Sequence, residues 1–272
     1  MRLTGPGVWG PPRDVPAAQA VLRRAVELGI NFIDTADVYG PGDNERLIRD
    51  TLSPFAASLV VATKGGVTRA GPATPDNPGM GVDNSEAHLR GAVEGSLRDL
   101  GVERIDLYQL HRVDPRVPIE ETMGVLTRLR DEGKIRHVGL SEVSVDQIAR
   151  ARSVIPIATV QNEYNLANRR HEDVLDFCEG HRIGFIPFYP QKVGALAESD
   201  ALKSIATRER VTPGLIALAW LFARSPVVIA IPGTSSVTHL DENVGACGVR
   251  LSSADMSALN GLPSAKPLEV AR

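Results

Sequence analysis

Short apolar runs alternate with stretches of helical spacing along the chain, and each apolar run stops at a polar residue. Residues 31–33, 59–62, 105–110, 135–140, 158–160, 183–188 and 227–231 read as seven strands, too short for helices and apolar at successive positions. Between the strands, apolar residues recur three and four apart. Ala18, Val21, Leu22, Ala25 and Val26 mark one helix, with Asp14 as its cap, Pro16 in its first turn and Gly29 past its end. The same spacing predicts helices over 43–52, 85–100, 119–132, 145–153, 172–180, 201–208, 213–223 and 237–246. Residues 67–84, broken by Pro72, Pro75 and Pro78, read as a long loop, and a polar tail follows residue 246.

Strands apolar along their whole length are buried on both faces, which predicts a parallel sheet covered by helices. The units repeat about every 30 residues with no break in composition, so one domain over residues 1–272 is expected. Asp34, Lys64, His111, Ser141, Gln161 and Thr234 fall at or just past the ends of different strands. A (β/α)8 barrel brings all such ends to one face, whereas a doubly wound sheet, the alternative, holds its outer strand ends apart. Residues 1–3 supply at most the tail of an eighth strand, at the start of the barrel.

Composition bounds the partners more than the fold. With 30 basic and 33 acidic residues the net charge is −3, which argues against a nucleic-acid or membrane-surface partner. Cys178 and Cys247 form no C-x-x-C pair, and the N-terminus has no secretory pattern, so a reduced, cytoplasmic protein is expected. The apolar stretch 215–223 is too short to span a bilayer. Gly5-Pro6-Gly7-Val8-Trp9-Gly10 spells G-x-G-x-x-G, but it lacks a strand before it and Pro11-Pro12 follow. It reads as a rigid loop, with Trp9 free to line a pocket.

The chemistry concentrates in Asp34-Thr35-Ala36-Asp37-Val38-Tyr39-Gly40. A buried strand there delivers a carboxylate and then a phenol into a turn broken by Gly40, Pro41 and Gly42. A tyrosine titrates near ~10 when unperturbed, and a nearby ammonium makes it a better acid. Asp34 would orient Lys64, Lys64 would activate Tyr39, and His111 would hold a carbonyl oxygen: a proton donor facing a carbonyl. Singly, each residue has a plain structural alternative: a structural ion pair for Asp34 and Lys64, a satisfied core histidine, a packed aromatic. No metal cluster or carboxylate pair stands at the strand ends, as a lyase or isomerase barrel would need.

At these residues the chain resembles the aldo-keto reductases. The resemblance lies in Phe32-Ile33-Asp34-Thr35-Ala36 with Tyr39-Gly40, Thr63-Lys64-Gly65, Asp106-Leu107-Tyr108-Gln109-Leu110-His111, Val138-Gly139-Leu140-Ser141, Val160-Gln161-Asn162-Glu163-Tyr164-Asn165 and Ile231-Pro232-Gly233-Thr234-Ser235. The opening loop and 161–165 look most like a pyridoxal-reductase-like branch. The resemblance implies a catalytic tetrad at Asp34, Tyr39, Lys64 and His111, with Tyr39 the proton donor and Trp9, Tyr39 and His111 around the substrate. It implies NADPH as cofactor: Ser141, Glu142 and Gln161 at the nicotinamide amide, Phe188 stacked on the ring, and Lys192 near the pyrophosphate. Gly233, Thr234, Ser235, His239, Glu242 and Asn243 would hold the adenosine end, beside a helix N-terminus suited to phosphate.

Three departures from the family pattern matter. Glu142 stands where asparagine is usual, and His239 where many members carry arginine, which leaves NADH possible. The family's N-terminal hairpin and complete first strand have no counterpart in the sequence. The expected activity is reduction of an aldehyde or ketone of modest size; the sequence leaves the oligomeric state open, with a monomer favoured. A cofactor-binding accessory subunit with little turnover is the alternative.

Overall fold

The computed structural model describes residues 3–74 and 79–264. The chain divides into two compact units. The first runs through Thr159 and takes in Gly233–Val237; the second holds Val160–Pro232 and the residues after Val237.

In the first unit a short 3-10 turn, Pro6–Val8, precedes helix α1 (Val15–Glu27). Strand β1 (Phe32–Asp34), α2 (Asp43–Leu52) and β2 (Val60–Gly65) follow, then β3 (Val67–Arg69) and β4 (Met80–Val82). The alternation continues with α3 (Glu86–Leu100), β5 (Ile105–Leu110), α4 (Ile119–Asp131), β6 (Ile135–Ser141), α5 (Val145–Arg152) and β7 (Ile157–Gln161). The second unit carries the end of β7, then α6 (Glu172–His181), β8 (Gly184–Phe185), α7 (Asp200–Glu209), α8 (Pro213–Arg224), α9 (Val237–Gly245) and α10 (Ser253–Asn260).

Local chemistry sets the helix ends. The Asp14 carboxylate accepts the Ala17 N–H at 2.9 Å, and Ser85 and Ser144 accept the N–H three residues on. Gly101 ends α3 at φ +68°, a left-handed value that glycine takes without steric penalty.

The strands form a sheet in the order β1-β2-β5-β6-β7-β8. Pairing is parallel from β1 through β6. The register sets Asp34 opposite Ala62, Lys64 opposite Gln109, and Gln109 opposite Gly139. Side chains two apart on a strand share a face, so Asp34, Lys64, Gln109 and Gly139 lie on one side of the sheet. The other side packs on helices through residues such as Val21, Leu22, Ile48, Leu89 and Val93, which are buried.

Four stretches differ from the sequence reading. Residues 67–84 are not a plain loop: β3 and β4 pair antiparallel, Val67 with Val82, and positions 75–78 between them lie outside the described residues. β8 covers only two residues, although Ile186 N–H donates to Val160 O at 2.8 Å and Phe188 N–H to Asn162 O at 3.1 Å on either side of Pro187. Residues 227–231 form no named strand, yet Phe185 N–H donates to Val227 O and Ile229 N–H to Phe185 O, both at 2.8 Å. The expected tail contains α10, capped reciprocally by Ser252 and Asp255, with Arg208 donating twice to the Asp255 carboxylate. No strand precedes β1 among the described residues, and positions 1 and 2, read as part of a first strand, lie outside them. Among the described residues no helix is long and apolar enough to cross a membrane.

Gly65 shows how closely the first unit is packed. A Cβ there would overlap the buried Tyr108 hydroxyl, which has no hydrogen-bond partner, and stand 3.1 Å from Ala92 Cβ. Gly65→Ala is expected to destabilise by about 1–3 kcal/mol, and adding Tyr108→Phe to recover much of the loss, read from urea unfolding midpoints.

Candidate active site

The first unit gathers the four groups expected to act together. Lys64 is fully buried near the end of β2, and Asp34 ends β1 at 4% exposure. The Lys64 Nζ donates to Asp34 Oδ2 at 2.5 Å and to the Thr35 carbonyl at 2.8 Å. The second carboxylate oxygen, Oδ1, accepts from Gln109 Nε2 at 2.9 Å. A buried ion pair is stable only when its remaining polar positions are also met, and these partners meet them.

Past β1 the chain stays beside β2: Thr35 N–H donates to Ala62 O at 2.8 Å and Asp37 N–H to Lys64 O at 3.2 Å. Asn44 on α2 donates to the Thr35 hydroxyl at 2.8 Å, which fastens the turn from the helix side. Gly40 and Gly42 hold φ of +72° and +78°, and a Cβ on Gly40 would stand 2.9 Å from the Gly10 carbonyl. The turn therefore needs glycine there, and it carries Tyr39 back over the strand ends. Tyr39 packs on buried Ala36, Val38 and Val67.

Lys64 Nζ lies 5.5 Å from the centre of the Tyr39 ring. The His111 ring meets Tyr39 edge-on, with ring centres 6.2 Å apart. His111 follows β5, and its N–H is held by the Gly65 carbonyl at 2.8 Å. Burial, reinforced by the charges of Lys64 and Arg112, holds the His111 imidazole well below its ordinary pKa, so it is neutral at neutral pH. Its Nδ1 is buried without a partner among the described residues.

The remaining expected residues fall into two groups. In the first unit Trp9 is exposed, with the Arg69 guanidinium 6.0 Å from its ring centre; Arg69 also donates to the Gly7 carbonyl. Ser141 is buried at the end of β6, and Glu142 follows it at φ +54°. Thr234 Oγ1 accepts the Ser236 N–H at 3.1 Å, so it shapes its own turn beside Gly233 and Ser235. In the second unit Gln161 is buried at the end of β7, and Phe188 meets Tyr189 edge-on. Lys192 sits 3.6 Å from the Glu163 carboxylate. Asn243 accepts from Gln191 at 2.6 Å and donates to the Pro232 carbonyl at 3.3 Å, while His239 and Glu242 are exposed on α9.

The contacts of two residues were not foreseen. Gln109 holds Asp34, and Arg112 donates to the His111 carbonyl at 2.6 Å and to the Ser141 hydroxyl at 3.1 Å. Gln109 lies two residues before His111 on the same strand face, a spacing visible in the sequence. Arg112 gave no comparable signal, because its direction depends on the loop after β5. Among the described residues no group of His, Cys, Asp or Glu is arranged to hold a metal ion.

The chain matches the profile of the Aldo/keto reductase family over residues 6–263. It is 47% identical to an uncharacterized oxidoreductase of Schizosaccharomyces pombe over 96% of this chain and 83% of that one. It is 40% identical to pyridoxine 4-dehydrogenase of Escherichia coli, over 96% and 92%. Among solved structures, glycerol dehydrogenase from Gluconobacter oxydans superposes with a TM-score of 0.81 at 29% identity, over 93% of this chain and 86% of that one. An aldo/keto reductase from Klebsiella pneumoniae in complex with NADP and acetate superposes with a TM-score of 0.80 at 27% identity, over 98% and 93%. The fold is of the α/β, (β/α)8 barrel class expected from the sequence, with six strands in the sheet among the described residues. The chain belongs to the aldo/keto reductase family.

A pair of acids, Asp37 and Glu45, lies beside this site. Glu45, buried on α2, accepts the Thr63 hydroxyl at 2.6 Å. Loss of solvent, with Glu45 nearby, pushes the Asp37 carboxyl up to about 8, and burial raises Glu45 as well. Folded Asp37 thus keeps a proton that the unfolded chain releases near pH ~4. Stability should therefore fall as pH rises between about 4 and 8, by at most about 1.4 kcal/mol per unit from this group. Asp37→Asn is expected to flatten that fall and to be more stable than the native protein above about pH 8, measured by urea unfolding across the range.

Proposed function

We propose that Tyr39 protonates the oxygen of a bound aldehyde or ketone while Lys64, Asp34 and His111 tune and orient it. The chain is an NAD(P)H-dependent oxidoreductase that reduces carbonyl compounds to alcohols. The observation that carries the assignment of roles is the buried ammonium 5.5 Å from the Tyr39 ring centre, anchored to Asp34 at 2.5 Å. That positive charge favours the negative charge growing on the phenol oxygen as its proton leaves. A neutral His111 cannot compete as the acid, but it can offer a hydrogen bond that aligns the carbonyl oxygen.

The donor set fits a nicotinamide dinucleotide. Ser141 and Gln161 are buried polar groups at strand ends, suited to the nicotinamide amide, and Phe188 offers an aromatic face. Gly233, Thr234 and Ser235 lie just before α9, and the first turn of that helix would offer backbone N–H groups to phosphate. When bound, NADPH supplies a hydride to the carbonyl carbon, and NADH is the alternative donor. Lys192, His239, Glu242 and Asn243 would frame the rest of the dinucleotide, with Glu142 beside the ring. Asn243 would do so indirectly, since its amide already ties Gln191 to Pro232.

The finer reading is a pyridoxal-type aldehyde as substrate. Identity of 40% to pyridoxine 4-dehydrogenase over 96% of the chain supports it. Trp9, held against Arg69, would offer an apolar wall to a ring of that size, and the Val8 carbonyl before it accepts the Gly40 N–H at 3.1 Å, next to Tyr39.

Tyr39→Phe is expected to lower kcat for NADPH-dependent aldehyde reduction by about 10²–10⁴ while cofactor binding, followed by fluorescence quenching, stays within a few-fold. Native protein that binds NADPH but turns over no aldehyde in a panel including pyridoxal would favour the accessory-subunit reading instead.

A further inference from the structure

The tetrad residues do not account for the second oxygen of the Asp34 carboxylate. That oxygen receives the Gln109 amide at 2.9 Å, in a place where Gln109 is wholly buried. Three features make the contact specific. Gln109 stands opposite Lys64 in the β2–β5 register, so both side chains leave the sheet on the same face, toward Asp34. It stands opposite Gly139 in the β5–β6 register, and a Cβ on Gly139 would lie 2.8 Å from Gln109 Cγ. The glycine thus clears the path of the glutamine stem, with buried Thr159 closing the same space. Finally, Asp34 cannot turn toward Lys64 with both oxygens while one of them is held by the amide.

We propose that Gln109 is a positioning residue for the reductase reaction, fixing Asp34 so that only one carboxylate oxygen neutralises Lys64. The inference rests on the proposed role of Tyr39 as proton donor. Donation by the Gln109 N–H draws negative potential away from the Lys64 side of the carboxylate. More of the ammonium's field is then left to act on the Tyr39 hydroxyl. Loss of that N–H lets Asp34 cancel Lys64 more completely and makes the phenol a weaker acid.

Gln109→Met keeps the length of the side chain and removes the donor, and Gln109→Leu removes it with a shorter apolar side chain. For Gln109→Met, kcat for aldehyde reduction should fall about tenfold with KM and NADPH affinity within about twofold. The alkaline limb of its kcat–pH profile should move upward by about half a pH unit or more. Gln109→Leu, which also lacks the donor, should move that limb the same way, and it serves alone if the Met variant does not fold. A profile that only scales down, with its limb unmoved, would assign Gln109 a structural role and overturn the inference. Tyr39→Phe, assayed alongside, separates the two ideas. If the native limb persists in that variant, the proton-donor reading fails; if the limb vanishes there but is unmoved by Gln109→Met, only the positioning role fails.

Discussion

The first unit depends on a charged lysine that no solvent reaches. Burying an ammonium is costly unless its charge and its N–H groups are answered, and Lys64 is answered at close range by Asp34 and by the Thr35 carbonyl. Both partners come from the end of β1, so the pair ties two parallel strands together at their C-terminal ends. Removing either member would leave the other charge buried and unpaired. The neighbouring contacts follow from this: Gln109 meets the remaining carboxylate oxygen, and Asn44 fastens Thr35.

The same pair organises the charge around Tyr39. Lys64 and Arg112 both press His111 toward its neutral form, in addition to its burial. The imidazole is therefore suited to a neutral hydrogen bond, which under the proposed mechanism leaves the acidic role to the phenol over the ammonium. Arg112 also donates to Ser141, so the loop after β5 and the end of β6 are joined by one guanidinium. Division of labour among neighbouring titratable groups comes here from which of them is paired, which is desolvated, and which faces a turn.

In the second unit the polar groups are used more locally. Asn243 links the Gln191 loop to Pro232, and Lys192 and Arg170 both lie against Glu163. These bonds hold the loops after β7 and β8 in place. Residues that hold a loop and residues that touch a ligand look alike in a sequence, because both are polar and follow strands.

Much of the fold was legible because its signals are local. Apolar runs of three to six residues, the caps at Asp14 and Ser85, and the glycine stops all act within a few residues of one another. Their order along the chain then dictated a parallel α/β class, and the strand-end position of Asp34, Lys64 and His111 followed from it. Where the reading failed, the cause was a neighbour distant in sequence or a polar surface. The 67–69 strand exists through its partner at 80–82, and α10 buries little beyond Asp255 and Leu259, so periodicity left it silent although its capping residues were in view. The sequence by itself determined which residue types end which strands. Only the tertiary structure decided that Gln109 reaches Asp34 past Gly139, that Arg112 turns to Ser141, and that Asp37 keeps its proton, since register, clearance and solvent exclusion arise between segments rather than within them.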